Sequence, residues 1–467
     1  MMSLKINTLG GFCLSAVRGI VLSFLPIQVV PADTLSQALV YVYQGNSQLN
    51  AQRAQLRATD ESVSQAASGY RPQLSAGLNA GLQGVKNGLP DGTTQSGTLH
   101  PRMAGLTLTQ PLFNGFRTAN SVRQAEAQVR SGREALRNIE QTVFVNAVTA
   151  YMNIVADQAL IEAQEANVTF LRETLAATRE RIQLGDVTPT DVAQAEARLN
   201  RGLADLNAAQ VALAIEQANY TQVVGVEPGR LKPAEPIDRL LPADRDQAIA
   251  LALREHPTVV AAAYDVDAAE RAIHVAESSL LPNVSVQASA SHSIETDPTL
   301  ATTRTDQASV IGQANIPLYD GGMAASQVRQ AKETLAQNRL MLDQARRQSR
   351  TSAVTGWAMN DGAKNAVRAA DAEVRAATVA LEGVRREARA GQRTTLDILN
   401  AQQDLVSARA RLIQAQRDRV IASYTLLAAI GRLDHRRLAL ATPDYDSQTH
   451  YHQVRDAWHG LRTPAGQ

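Results

Sequence analysis

The side chains best placed to do chemistry sit at two short breaks in an otherwise helical sequence. One break reads Gly185-Asp186-Val187-Thr188-Pro189, followed by Thr190 and Asp191. The other reads Gly391-Gln392-Arg393-Thr394-Thr395, followed by Asp397 and Asn400. Glycine suits the left-handed position that closes a helix, and a Thr or Asp after it accepts bonds from the free N–H groups of the next helix. Thr190 or Asp191 is expected to open the helix after the first break. An exposed Asp or Arg at such a turn can also hold a charge link between helices, or present charge to a passing ion. Both aspartates therefore have a plain structural reading, as capping and dipole-compensating groups, beside a functional one.

Catalytic patterns are missing. The sequence has no phosphate-binding loop, no HExxH, no GxSxG and no paired-cysteine metal spacing. His100, His256, His274, His292 and His435 are scattered without the i, i+4 pairing of a helical metal site. The expectation is a protein that is not an enzyme and needs no cofactor.

Those turns belong to a duplicated unit. Pro111-Leu112-Phe113-Asn114-Gly115 returns as Pro317-Leu318-Tyr319-Asp320-Gly321, and Val122-Arg123-Gln124-Ala125 as Val328-Arg329-Gln330-Ala331. Gly185 and Gly391, Asp191 and Asp397, and Gly225 and Gly431 keep the same offset. A constant offset means no net insertion between the copies, as long stiff helices would enforce. The chain divides into 1–32, a signal peptide; 33–225, the first repeat; 226–242, a linker; 243–431, the second repeat; and 432–467, a polar tail.

Each repeat reads helix, strand, loop, strand, very long helix, break, helix. Leu35 to Ser68 and Gln247 to Ser279 are expected as single helices, ended before Pro72 and Pro282. Four strands follow from period-two alternation. Leu74, Ala76, Leu78, Ala80 and Leu82 mark the first, and Ala104, Leu106 and Leu108 the second. Val284, Val286, Ala288 and Ala290 mark the third, and Val310, Gly312, Ala314 and Ile316 the fourth. The Gly/Asp/Thr-rich stretches 84–100 and 295–306 are expected as loops. The first and third strands are long enough to cross a bilayer at a tilt. Four strands cannot close a pore alone, so several chains would share one barrel. Gly115 to Leu184 and Gly322 to Ala390 lack proline, and each would span roughly 100 Å as a helix. Val122, Val129, Leu136 and Val143 recur at the seven-residue spacing of a coiled coil, as do Val367, Val374 and Leu381.

Composition agrees. The 467 residues carry 46 basic and 45 acidic side chains, a balance that offers nothing to nucleic acid. Aromatics are only 4%, which suits close helix packing through small side chains better than a large globular core. The single cysteine, Cys13, lies in the signal-like opening segment, where Val30-Pro31-Ala32 resembles a cleavage site and Phe12 does not suit lipidation of the cysteine. His450, His452 and His459 in the polar tail could suggest a metal, but no other ligand cluster accompanies them, and a disordered tail is the expectation.

The paired strand-to-helix signatures, Gln110 to Gly115 and Ile316 to Gly321, and the paired turns resemble the TolC-like outer membrane factors, the exit ducts of efflux pumps and type I secretion systems. The resemblance runs from about Leu35 to Gly431. It implies a mainly α fold with a β-barrel part. Four strands per chain would join a twelve-stranded outer-membrane barrel in a homotrimer, set in outer-membrane lipid and continuous with a long coiled-coil helical tunnel. It further implies a periplasmic membrane-fusion adaptor and an inner-membrane ABC or proton-driven transporter as partners, and an iris-like opening at the turns. Thr190, Asp191 and Arg393 match residues of the family's closing links, while Ala388 stands where a tyrosine would be. Asp397 matches the first of two ring aspartates that confer selectivity, and Asn400 replaces the second. Three such carboxylates around an axis would attract cations and raise one another's pKa. The rival from another class is a periplasmic adaptor-type coiled-coil protein without a pore.

Overall fold

The computed structural model describes residues 34–295 and 303–463, save 89 and 91. The signal-peptide segment 1–32 lies outside the described residues. Each repeat opens with a broken helix rather than one continuous helix. Helix α1 (Leu35–Gly45) gives way to α2 (Ser47–Ala67) at Asn46, and α5 (Arg245–Glu255) to α6 (Pro257–Glu277) at His256. Asn46 (φ −63°, ψ 125°) and His256 (φ −65°, ψ 126°) are both extended, and the side chain of each caps the helix that follows. In the second repeat Pro257 enforces the break, since the residue before proline avoids the helical region. In the first repeat the cap alone does so: the Leu49 N–H donates to Asn46 Oδ1 at 3.1 Å.

The strands are β1 (Gln73–Ala80), β2 (Gln83–Gly88), β3 (Thr94–Leu99), β4 (Arg102–Asn114), β5 (Asn283–Glu295) and β6 (Thr303–Asn315). Four of them form one antiparallel sheet in the order β1-β4-β5-β6. The stretch 84–100, expected as a loop, instead holds the separate hairpin β2–β3. Backbone pairing overrode its glycine-rich composition. Strand β4 runs past Pro111 to Asn114, with an irregularity in its pairing to β5 between Pro111 and Phe113 that accommodates the imino nitrogen. Of the stretch 295–306, residues up to Glu295 and from Thr303 are strand, and 296–302 lie outside the described residues.

The sheet register gathers the alternating residues by face. Leu74 sits opposite Leu108, Leu106 opposite Ala76 and Ala290, and Ala288 opposite Val310, all on one apolar face. The other face carries Ser75 against Thr107, Thr107 against Ser289, and Ser289 against Ser309. The two long helices are α3 (Arg117–Gln183) and α7 (Met323–Arg389), 67 residues each, hence roughly 100 Å long. Their partners are α4 (Pro189–Val224) and α8 (Thr395–Ala429). Strand passes to helix through two successive left-handed residues, Gly115-Phe116 in the first repeat and Gly321-Gly322 in the second.

The helices form a single-layer wall. Near the strands the order across it is α2, α3, α6, α7; near the turns it is α4, α3, α8, α7. The main core lies in mid-wall, where Phe144, Tyr151 and Ile154 of α3 meet Leu39 and Val42 of α1, Tyr220 of α4, and Leu426 and Leu427 of α8. Of the residues at seven-residue spacing, Val129, Leu136 and Val143 of α3 and Leu381 of α7 are buried, while Val122, Val367 and Val374 are half-buried.

The tail is ordered, against the expectation of disorder. Leu433 is fully buried, and α9 (Thr449–Val454) packs on α2. His435 is gripped on both ring nitrogens, Nδ1 by Glu140 at 2.8 Å and Nε2 by Asp444 at 2.6 Å. His450 pairs with buried Asp60 at 3.1 Å. These histidines clamp the tail to the wall, and no group of metal-ligating side chains occurs among the described residues.

Candidate functional site

The two turns close their helices with the same pair of backbone bonds. At the first, the Gly185 N–H donates to the Ile182 carbonyl (3.1 Å) and the Asp186 N–H to the Arg181 carbonyl (3.1 Å). At the second, Gly391 donates to Ala388 (3.1 Å) and Gln392 to Glu387 (2.9 Å). This doubly bonded closure needs a left-handed residue, and Gly185 and Gly391 both have φ +78°.

The helix after the first break opens earlier than expected, with Thr188 as its cap rather than Thr190 or Asp191, and Thr394 caps the helix after the second. Each Thr makes a reciprocal cap with the aspartate three residues on. Asp191 Oδ2 accepts from the Thr188 N–H and hydroxyl, both at 2.8 Å, and Asp397 Oδ2 accepts from the Thr394 N–H and hydroxyl, both at 2.9 Å. The spacing Thr-x-x-Asp is a capping-box pattern, so this was readable in the sequence. These bonds hold both carboxyls below their usual range. Within one chain, capping therefore lowers the carboxylate pKa, the reverse of what crowding around an axis would do. The two aspartates are ionised, and each keeps one oxygen outside its cap.

The remaining site residues are separated. Thr190 is exposed, and no described hydrogen bond uses its hydroxyl. Arg393 Nε donates to Glu387 Oε2 at 2.8 Å within its own turn, and Asp397 adds only longer-range attraction. Within one chain the partner of Arg393 is thus a glutamate of its own turn rather than Asp191. Asn400 is bonded rather than free: Arg198 Nη2 on α4 donates to its Oδ1 at 2.9 Å. That bond ties the hairpin of one repeat to the hairpin of the other. Arg198 carries no sequence signal of its own, because its partner lies in the other repeat.

Behind the turns the two hairpins share a small core. Leu171 and Leu175 of α3 meet Ala195 of α4 and Leu399 of α8. Gln402 Nε2 donates to Asn167 Oδ1 at 3.1 Å, buried between α8 and α3. The Arg385 guanidinium lies 4.5 Å over the Phe170 ring. A cleft of about 630 Å³ opens between the hairpins, lined by Arg181 and Asp186 on one side and by Arg385, Arg389 and Thr395 on the other. None of these groups forms a nucleophile–base pair. What the site offers is a set of separable polar links between hairpins.

A duplicated wall of paired long helices, joined to a four-stranded sheet that is apolar on one face, matches one described family. The model of the outer membrane efflux protein family covers residues 38–226 and 248–432. The chain belongs to the outer membrane efflux protein family. It is 41% identical over 441 residues to the outer membrane efflux protein BepC of Brucella suis biovar 1, covering 94% of each chain. It is 26% identical over 435 residues to the outer membrane protein TolC of Escherichia coli, covering 87% of this chain and 85% of that one. The alkaline protease secretion protein AprF of Pseudomonas aeruginosa matches at 26% over 348 residues, 73% of this chain and 72% of its own. Among solved structures, the Campylobacter jejuni CmeC outer membrane channel superposes with a TM-score of 0.75 at 14% identity, covering 90% of this chain and 89% of that one. VceC of Vibrio cholerae gives 0.71 at 17% identity, covering 85% and 96%. At these identities the structures speak for the fold alone. As an outer membrane efflux protein the chain resides in the outer membrane of a Gram-negative bacterium, and the adaptor-type reading falls away.

Proposed function

We propose that three copies of this chain form a continuous export duct, gated at the helical turns. The observation that carries the proposal is that the sheet and the wall end in matching open edges. Strand β1 follows α2 and both lie on one flank; β6 precedes α7 and both lie on the other. The α7 flank exposes Leu340, Met341, Met359 and Val379, and the α4 flank exposes Leu203, Val211 and Ile215. Two different complementary edges call for head-to-tail association that closes into a ring. Closure pairs β6 of one copy with β1 of the next, which removes the free strand edges that lipid does not tolerate. It also covers the apolar side chains of α7 and α4.

In that ring the apolar sheet face meets lipid and the serine- and threonine-rich face lines the pore. The turns gather at the far end. There the Arg198–Asn400 link holds the two hairpins of a chain in the closed arrangement, and the Arg393–Glu387 link braces the second turn itself. A periplasmic adaptor opens them by binding the open arrangement more tightly, and an inner-membrane transporter supplies the energy. Passage through the duct needs no bond making. Efflux of small molecules is the reading favoured by the 41% identity to BepC. The match to AprF keeps protein secretion as the second reading.

The test is the oligomeric state of the protein extracted from outer membranes. A heat-modifiable, SDS-resistant species with the mass of three subunits, conducting ions in a planar bilayer, is expected. A monomer by light scattering that does not conduct would overturn the proposal.

A further inference from the structure

The ordered tail ends its described course at the foot of the sheet, and there it displays the wrong side chains for water. Residues 455–463 are exposed throughout. Among them Trp458 is 67% exposed and Leu461 fully so. Yet the segment is pinned rather than loose. The Ala457 carbonyl accepts from Arg71 Nη1 at 2.6 Å and from the Ser64 hydroxyl at 3.2 Å. The Arg71 guanidinium lies 5.1 Å from the centre of the Trp458 ring. Arg71 stands two residues before β1, so Trp458 is fixed at the level where strand turns into helix.

That level is marked independently by other large apolar side chains left outside. Tyr70, Leu112, Phe116, Leu318 and Tyr319 are all exposed at the strand–helix corners. The duplication makes the comparison sharper. Tyr70-Arg71-Pro72 corresponds to Leu280-Leu281-Pro282, and the second repeat exposes Leu280 and Leu281 themselves. In the first repeat Arg71 replaces the second of these leucines, and it carries Trp458 on its guanidinium. The tail thus restores apolar surface at the corner where the first repeat lacks it.

We propose that residues 455–463 are a membrane-surface contact. Trp458 and Leu461 enter the headgroup region of the phospholipid leaflet that surrounds the helical end of the sheet. Indole rings favour that region because the ring is apolar and its N–H still finds a partner. Arg71, Arg455 and Arg462 lie at the phosphate level, against a single acidic residue, Asp456, in the segment. This net positive charge favours anionic phospholipid. Arg455 keeps a long contact to Glu126 at 3.8 Å and leans on the Tyr451 ring, so it steadies the segment as well. The proposal rests on the reading that the four strands cross the membrane, but it concerns the tail alone.

Tryptophan fluorescence isolates the position, because the chain has only two tryptophans. The other, Trp357, packs against the mid-wall core. The full-length protein is reconstituted into vesicles of phosphatidylethanolamine and phosphatidylglycerol, with and without lipids brominated near the headgroup. The Trp458→Phe variant, changed at an exposed site, is measured alongside. The difference between the two proteins reports Trp458. It is expected to emit further to the blue in vesicles than in urea, to lose most of its intensity to brominated lipid, and to resist aqueous iodide. Strong iodide quenching with none by brominated lipid would place Trp458 in water or in the pore and overturn the proposal. Quenching by neither would mean that a neighbouring copy covers it, and would overturn it too. A change that needs added peptidoglycan would assign the segment to the cell wall and equally overturn it. Co-flotation of the protein with the vesicles is scored separately, so failure of strand insertion is not confused with failure of the tail contact.

Discussion

The duplication supplies its own control for a test of packing, at the glycines that close α4 and α8. Gly225 (φ +86°) and Gly431 (φ +78°) occupy equivalent positions, and both are left-handed. Alanine at either one costs about 1–2 kcal/mol for that backbone conformation. Their surroundings differ. A Cβ on Gly225 would meet nothing within 4 Å. A Cβ on Gly431 would lie 2.6 Å from His256 Cα, 2.7 Å from the Glu255 carbonyl oxygen and 2.8 Å from His256 N. These are backbone atoms at the break between α5 and α6, and they cannot swing aside. Glu255 anchors that break further through two bonds from Arg432, at 2.7 and 2.9 Å. Forcing a methyl group into a packed site adds about 1–3 kcal/mol. Gly431→Ala should therefore destabilise by roughly 2–5 kcal/mol and Gly225→Ala by about 1–2 kcal/mol. The assay is the urea midpoint of the helical circular-dichroism signal, for purified protein at matched concentration, since association shifts apparent stability. Equal losses at the two positions, or wild-type behaviour of Gly431→Ala, would refute the reasoning.

Asp397→Asn keeps an acceptor for the Thr394 N–H while removing the charge. In planar bilayers it should weaken block by trivalent cations, and unchanged block would remove Asp397 from any selectivity ring. Arg198→Ala and Arg393→Ser each cut one polar link at the turns and should raise single-channel conductance; a double variant no more conductive than wild type would exclude both links from the gate. Burial pulls the His435 pKa down, but bonds to Glu140 and Asp444 outweigh it and hold the imidazole above its ordinary value of 6.5. A raised folded pKa gives stability that is complete below the unfolded value and lost as pH rises through the folded one. Proteolytic release of the tail should therefore increase from slightly acidic toward alkaline pH, and His435→Gln should flatten that dependence. Glu255 is held down at about 2, chiefly by its bonds with Arg432. Glu255→Gln should cost roughly 1.5–3 kcal/mol near neutral pH, a loss that disappears as the wild-type carboxylate protonates between pH 4.5 and about 2; a pH-independent difference in the urea midpoint would contradict the ion-pair account.

The sequence by itself determined the parts that depend on repetition and period. The constant offset between copies, the seven-residue spacing of Val129, Leu136 and Val143, and the alternation in the strands are local or regular. Each fixes an element because a helix or strand must bury the side that its period creates. That a Thr and an Asp would cap each helix after its break was equally legible, since a cap is decided within four residues, although Thr188 rather than Thr190 or Asp191 opens the first. Only the tertiary structure decided what crosses between distant segments. The hairpin β2–β3 forms because its backbone groups pair with each other, whatever its glycine content suggests. The tail is ordered because His435 and His450 find carboxylates on α3 and α2, far away in the chain. Asn400, which stands in place of a second ring aspartate, accepts a bond from Arg198 of the other repeat. The contacts of Asn400 and of the tail histidines bring together residues 202 to 390 positions apart, and no local spacing encodes them. The two turns therefore had their backbone written in the sequence, while the links that would hold a gate shut appeared only when the repeats were laid side by side.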